Sequence, residues 1–477
     1  MSGKRRIWWQ AFLLLLLAGA ISLSWRAIHQ HLVVAQCIPP RPSLGNFPVE
    51  LEDGIARAEG DAKGYIHTVR GLTALSRIYH ANGYYDEAMQ CYDGLRRLEP
   101  GEGRWPHLQA SILTTFGRLD EALPLLQHAV VLAPRYVPSH LRLGDILLKT
   151  NRPDLAEKAY NEALGLDPGN AFALLGLARC AITRGDWSKA REQLQESIRL
   201  HANFIGGLSL LVVVAEHFGD QNEADALKEM IGRQEFIDLP DPWLDGLTED
   251  CYDPYRLSVA AVVVNFSGDG PAARRLLERA IALAPETGSY HRQLGQMLFE
   301  SRDYVSARRQ LESAVTLSPY DPYSWTLLLK IMTAMGETEA IERVLANALA
   351  NCPQSPELHL ERARRFSSAH DPDDAIAEFR EAYRLWPSEA GPLVELAKEY
   401  FTVNKTNEAL AALREALQRQ PEYPMALAAL AFYYIEVGDE ANALAWWEHV
   451  RRQSRMPPQT VAALKNAFQQ HFGRDLQ

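Results

Sequence analysis

The side chains able to do chemistry in this chain are scattered along it. Five cysteines, Cys37, Cys91, Cys180, Cys251 and Cys352, include no Cys-x-x-Cys, no Cys-x-x-Cys-His and no zinc-ligand spacing. There is no glycine-rich phosphate loop, no His-Glu-x-x-His and no Gly-x-Ser-x-Gly. We therefore expect no catalytic set, no metal and no cofactor. The thiols read as isolated and buried or partly buried, with Cys37 and Cys251 alone in flexible segments where a disulfide partner is reachable. His140, His291 and His359 recur at one slot of three separate segments, which points to a shared packing or surface role rather than converging ligands. Acid and aromatic groups do cluster. Residues 234–255 hold Glu235, Asp238, Asp241, Asp245, Glu249, Asp250 and Asp253 without a Lys or Arg, interleaved with Pro240, Pro242, Trp243 and Tyr252. This composition suits recognition, with Trp243 and Tyr252 as candidate contacts. A solvated hinge between two halves of the chain is the competing reading, and the one the length of the segment favours.

The elements that must position these residues are set by a period. Proline stands at Pro100, Pro134 and Pro168, and again at Pro285, Pro319, Pro353, Pro387 and Pro421, with 34 residues between neighbours in each series. Twelve residues before the proline position comes Ala88, Ala122, Ala156, Ala190, Ala224, Ala273, Ala307, Ala375, Ala409 or Ala443, and Ile341 once. Two helices that cross closely leave room for a methyl group and little else. Seventeen before it stands Gly83, Gly117, Gly185, Gly219, Gly268, Gly336 or Gly438, with Asn151 and Asn404, residue types that accept the left-handed backbone ending a helix; Arg302 and His370 are exceptions. Apolar residues between these marks, such as Leu141, Leu143 and Leu147 and then Leu155, Tyr160 and Leu164, run at helical spacing. Each unit thus reads helix, tight turn, helix, with the proline closing the second helix. Eleven units fit between Val69 and Pro457 around one insertion of about 15 residues.

The array resembles the tetratricopeptide repeat (TPR) family. The third unit carries the resemblance with Leu143, Gly144, Leu147, Ala156, Tyr160, Ala163 and Pro168, and the eighth supplies the family's tryptophan at Trp325. Departures are Gln109 and Arg362 at a leucine position, and Ala202, Phe236 and Arg455 at the proline, so units two, four, five, nine and eleven are expected to pack less regularly. The resemblance covers about 80% of the chain and implies an all-α TPR superhelical solenoid of about eleven helical hairpins, which binds rather than catalyses. It also implies that the slot 23 before the proline lines a concave groove. That slot holds Arg77, Ser111, Asp145, Arg179, Val213, Val262, Gln296, Lys330, Arg364, Lys398 and Phe432. The basic members Arg77, Arg179, Lys330, Arg364 and Lys398 are the candidate partner-binding residues. Three of them fall in successive units, a row that repels itself unless an acidic segment lies between. Solvated side chains on a helix face are the alternative.

The chain carries a net charge of -11, and it opens with Lys4, Arg5 and Arg6 before 19 uncharged residues from Ile7 to Trp25. The acidic remainder disfavours nucleic acid as a partner. At about 1.5 Å per residue the uncharged run approaches the roughly 30 Å hydrocarbon core, with Trp8, Trp9 and Trp25 at belt positions. The leading basic cluster favours a cytoplasmic N-terminus. A cleaved signal peptide competes, but Val33-Val34-Ala35 lies well past the apolar run, and length and flanks favour an anchor. The expected layout is a cytoplasmic tail 1–6, a transmembrane signal-anchor 7–25, a linker 26–48, five units over 49–238, an acidic insertion 239–253, six units over 254–457 and a capping helix 458–477 whose stripe is Val461, Leu464, Phe468 and Phe472. These features describe a single-pass scaffold of a bacterial inner membrane with its array in the periplasm, taking other proteins or acidic peptide segments as partners. The alternative is a cytoplasm-facing assembly factor or an accessory subunit of an envelope enzyme complex. An anchor-then-repeat layout also occurs in the lipopolysaccharide assembly protein B family, whose rubredoxin-like cysteine site has no counterpart here.

Overall fold

The computed structural model describes residues 3–43, 45, 48–202, 204–231, 239–452 and 456–476. The side chains of 3–8, 10, 11, 20, 23 and 338 are also outside the description, so the basic cluster Lys4 to Arg6 and Trp8 carry no structural account. The same holds for Glu235, Phe236, Asp238 and Arg455. The described residues form helices and no strand, and they pack as two compact units, Met1–Pro285 and Glu286–Gln477. The division falls after the sixth repeat rather than at the insertion, because the insertion and the sixth repeat fold onto the first repeats.

The first unit opens with α1 (Gly3–Cys37) and α2 (Val49–Lys63). Five hairpins follow: α3 (Thr68–Ala81) with α4 (Tyr85–Leu98), α5 (Arg104–Thr115) with α6 (Leu119–Leu132), α7 (Val137–Lys149) with α8 (Pro153–Leu166), α9 (Ala171–Thr183) with α10 (Trp187–Leu200), and α11 (Ile205–His217) with α12 (Gln221–Ile231). The short α13 (Pro242–Asp245) and a 3-10 turn (Gly246–Asp250) make up the insertion, before the hairpin α14 (Pro254–Phe266) and α15 (Gly270–Leu283). The second unit stacks α16 (Gly288–Glu300) with α17 (Tyr304–Leu317), α18 (Pro322–Ala334) with α19 (Thr338–Asn351), α20 (Pro356–Ser368) with α21 (Pro372–Leu385), α22 (Gly391–Thr402) with α23 (Thr406–Arg419), and α24 (Pro424–Glu436) with α25 (Glu440–Arg451). It closes on α26 (Pro458–Phe472), where Leu464 and Phe468 are buried against Leu427, Ala431 and Trp447 of the last hairpin. All-α architecture and eleven hairpins match the expectation.

The period acts through three local devices. At every hairpin turn the residue 17 before the proline has positive φ, including Asn151, Asn404, Arg302 (64°) and His370 (62°). The column is thus complete, and its two apparent exceptions pay the steric cost of an L side chain in the left-handed region. Nine of the eleven second helices stop two residues before the proline position, as at Leu98 before Pro100 and Arg419 before Pro421, because the residue ahead of a proline is pushed out of the helical region. Leu200 keeps that phase although Ala202 replaces the proline. Finally, an N–H six residues after the proline reaches back to its carbonyl: His140 Nε2 to Pro134 (2.9 Å), Trp325 Nε1 to Pro319 (2.7 Å) and His359 Nε2 to Pro353 (3.1 Å). The repeated histidine slot therefore satisfies a connector carbonyl in units three and nine.

The alanine column is buried at every crossing, with Ala156, Ala307 and Ala409 among the fully inaccessible ones. Units two, four, five, nine and eleven close their hairpins as the others do, contrary to the expectation of irregularity. Gln109 is buried but bonded to Asp93 (2.7 Å) and Arg96 (3.1 Å), and Arg362 is paired with Glu378. The loose hairpin is unit eight, where α18 and α19 make the fewest close backbone approaches. Here Ile341 replaces the alanine and is fully buried, so three extra carbons act as a wedge. A cleft of ≈ 610 Å³ lies alongside, lined by Trp325, Leu328, Met332 and Val344.

The expected linker 26–48 is mostly helix. α1 continues without a break from its apolar run to Cys37, and Val33, Val34 and Cys37 are buried against α3 and α4. A Cβ on Gly94 would stand 2.7 Å from the Cys37 Cβ, so only glycine admits this approach. Arg97 bonds Gln36 Oε1 (3.1 Å), and His31 stacks on Tyr65 at 4.3 Å. Cys37 is thus held in a helix end rather than a flexible segment, and all five thiols are free and buried.

Arg302→Gly and His370→Gly each relieve the left-handed strain and raise stability by about 1 kcal/mol in denaturant titration. Ala156→Leu and Ala307→Leu each overpack a crossing and lower it by about 1 to 3 kcal/mol; unchanged melting of both would show that the column does not set the crossing distance.

Candidate protein-recognition surfaces

Two surfaces collect the residues singled out by sequence. The first is built from the first helices of units one to three, and residues 239–253 lie across it. The segment runs from unit three back to unit one. Asp241 is buried to 1% exposure, and three side chains from three places hold its carboxylate: His107 Nε2 from α5 (2.9 Å), Tyr136 Oη from the connector before α7 (2.6 Å) and Arg142 Nε from α7 (2.7 Å). Ser139 Oγ donates to His107 Nδ1 at 2.8 Å, which leaves the proton on Nε2, facing Asp241. Trp243 stacks on Tyr136 at 3.5 Å with its ring 5.2 Å from that of His107, and its backbone N–H donates to the Tyr136 hydroxyl (3.0 Å).

The other end of the segment meets α3. Arg77 Nε donates to Asp250 Oδ2 (2.6 Å) and its Nη2 to the Gly246 carbonyl (2.7 Å). Asn82 brackets the chain, donating to the Asp250 carbonyl (2.8 Å) and accepting from the Tyr252 N–H (2.6 Å). Leu247 joins the hydrophobic core of the first repeats, and α15 covers the far side, with the Arg279 guanidinium 5.2 Å above the Tyr252 ring. The segment is docked at each of these points, which corrects the hinge reading. Arg77, read from sequence as a groove residue open to a partner, is engaged within the chain.

The electrostatics fit a permanently charged clamp. Burial by itself would raise the Asp241 pKa, but hydrogen bonding from His107, the Arg142 guanidinium and the Tyr136 hydroxyl outweigh it and hold the carboxyl well below the usual range. Burial lowers the His107 pKa in turn, against the pull of Asp241, so the imidazole is neutral and acts as a donor. Tyr136 is raised by burial and by its bond to Asp241.

The second surface is the slot 23 before the proline in the unit Glu286–Gln477. Lys330, Arg364 and Lys398 are all exposed, on α18, α20 and α22. Lys398 contacts Glu395 at 3.1 Å on its own helix. Beyond it, Lys398, Phe401, Phe432, Tyr433 and Glu436 line a cleft of ≈ 270 Å³, with Phe401 and Tyr433 stacked at 5.4 Å. In the other compact unit the slot member Arg179 is exposed and 3.9 Å from Asp145, which also accepts from Tyr160 (2.7 Å). The slot is therefore accessible along most of its length, and its members do not converge on one point. His107, Tyr136, Arg142 and Asn82 escaped the sequence reading because none occupies a repeating position; the nearest signal was the excess of acids facing no base within the insertion itself.

The tetratricopeptide repeat family matches residues 141–203, 266–322 and 394–453, and a second tetratricopeptide repeat family matches 72–104. The chain therefore carries tetratricopeptide repeats. It is 31% identical over 113 residues to cellulose synthase 1 operon protein C of Komagataeibacter xylinus, covering 23% of this chain and 8% of that one. It is 29% identical over 117 residues to the Hsp70-Hsp90 organizing protein of Triticum aestivum, covering 24% and 20%. With BBSome complex member BBS4 of Mus musculus it shares 23% identity over 311 residues, covering 61% and 59%. The chain spans less than two thirds of the length of each of these relatives. Among solved structures, yeast Tom70 aligns over 84% of this chain and 96% of its own with 16% identity and a TM-score of 0.39, and MamA over 34% and 94% with 17% identity and a TM-score of 0.31.

Acid should weaken the first compact unit. Burial, with Arg256 adding to it, holds the buried His80 imidazole down to about 3, while Tyr92 Oη lies 3.0 Å from its Nδ1. A histidine whose folded pKa is depressed stabilises the fold above its unfolded pKa of about 6.5, and that contribution is lost as pH falls toward the folded value. Between pH 7 and pH 5, His80 alone should remove about 2 kcal/mol, with His107 adding in the same direction. Thermal melts across this range check the slope, which His80→Gln should flatten.

Proposed function

We propose that this chain is a non-catalytic, membrane-tethered TPR scaffold that holds acidic partner segments along the first-helix face of its second compact unit. The observation that carries the reading is the row Lys330, Arg364 and Lys398, exposed on three successive first helices and ending at the aromatic cleft of Phe401, Phe432 and Tyr433. An acidic segment with an aromatic or aliphatic anchor would relieve the like-charge row and fill the cleft. Affinity would come from the buried anchor, with charge setting rate and register. Tethering is supported by α1, in which Phe12–Cys37 is long and apolar enough to cross a membrane, a test that a signal sequence passes as well. The flanking charges support a cytoplasmic N-terminus with the array in the periplasm or outside.

The test is charge reversal of the row. Lys330→Glu, Arg364→Glu and Lys398→Glu together should reduce capture of partners from native membranes at least tenfold, and capture by the parent should fall as salt rises. Unchanged capture by a folded triple variant would leave the row as a solvated helix face. A reporter active only outside the cytoplasm, fused after Gln477, should be active. An inactive fusion that stays in the membrane would instead support the cytoplasm-facing assembly factor.

A further inference from the structure

The pocket around Asp241 is more elaborate than the repeat fold requires. Hairpins close on their own alanine crossings, and a loop that only fills space needs apolar contacts, as Leu247 supplies. Here a carboxylate has been taken out of water, which costs several kcal/mol unless donors replace the solvent. The donors come from α5, the connector before α7 and α7 itself, at 2.9, 2.6 and 2.7 Å. Ser139 orients one of them, and Tyr136 both donates to Asp241 and accepts from the backbone of Trp243. Two residues after the carboxylate, the Trp243 indole lies flat on Tyr136 with the Arg104 guanidinium 5.9 Å from its centroid. This is a site with a charge clamp, an aromatic shelf and a fixed spacing between them.

The segment in the site is attached at two separate places. Gly246 to Asp253 is anchored through Arg77, Asn82, Leu247 and the covering Arg279. Residues 239–243 rest on units two and three and Leu244 reaches His80, Ala81 and Tyr85 of unit one; within 239–245 only Asp241 is fully buried, while Pro242 and Asp245 are exposed and Trp243 and Leu244 half-buried. The hairpins beneath the front half close on their own buried alanine crossings, so its departure would open none of them.

We infer that the first-helix face of units two and three is a recognition site for an acidic segment with an aspartate followed two residues later by a large aromatic, and that residues 239–245 are its resident occupant. A partner protein's segment of the same chemistry binds by exchange. The front half leaves, the partner's aspartate takes the clamp of His107, Tyr136 and Arg142, and its aromatic takes the shelf of Tyr136. Because the resident is tethered, its effective concentration is in the millimolar range, so the parent responds only to a segment that is itself concentrated or held nearby. This inference stands apart from the basic row of the second compact unit and uses none of its residues.

The experiment uses the full chain and a fluorescent peptide with the sequence of residues 239–245. A double variant, Asp241→Ala with Trp243→Ala, empties the clamp and shelf while keeping the anchor. It should bind the peptide saturably and at least tenfold more tightly than the parent. The same peptide with asparagine in place of aspartate should bind at least tenfold more weakly. Asp241→Asn in the full chain, which keeps the shape and removes the charge, should show intermediate peptide binding and provides the readout if the double variant does not fold. Absence of peptide binding by the folded variants would overturn the inference and make the segment a fixed strap. Failure of both variants to fold would overturn it too, because the segment would then be part of the fold.

Discussion

The structure depends on how closely two helices can cross. A methyl group at the crossing lets the backbones of each hairpin approach, and a left-handed residue at the turn reverses the chain in the few residues that a close approach allows. The eleven turns satisfy the second condition even where the residue is Arg302 or His370, so packing of the hairpin overrides local preference. Unit eight tests the first condition naturally. With Ile341 in place of alanine the crossing opens and a cleft appears beside it, while the turn at Gly336 remains left-handed.

Hairpins that close on themselves leave the outer positions of their helices free to differ, and this chain uses that freedom in two ways. In the unit Glu286–Gln477 the first helices present exposed basic groups in register, 34 residues apart. In the unit Met1–Pro285 the corresponding face of repeats one to three is covered by the chain's own insertion, while Arg179 further along stays exposed. Arg77 occupies the same repeat slot as Lys330, yet one binds Asp250 and the other faces solvent. A slot thus predicts placement but not occupancy.

The docked segment also explains where the compact units divide. Asp253 caps the start of α14, accepting from the Tyr255 and Arg256 N–H groups, and Arg256 continues to Tyr85 at 3.1 Å while packing over Gly83. The sixth hairpin is thereby tied to the first through the insertion. On the same first hairpin, α1 reaches α3 and α4 as an uninterrupted helix, so its apolar run is continuous with a segment packed on the first repeat.

The sequence by itself determined the repeat: the 34-residue spacing, the eleven hairpins, the alanine crossings, the turns and the closing cap at Leu464 and Phe468 are all local or near-local patterns that recur and so reinforce one another. It also marked the acidic, aromatic insertion and the basic slot. The tertiary structure alone decided which aspartate is buried, that Arg77 is engaged, that α1 runs on through the expected linker and that unit eight is the loose one. The physical reason is range. Helix, turn and crossing are specified by residues within one period, whereas Asp241 meets His107, Tyr136 and Arg142 across 134, 105 and 99 residues, at positions with no periodicity to announce them.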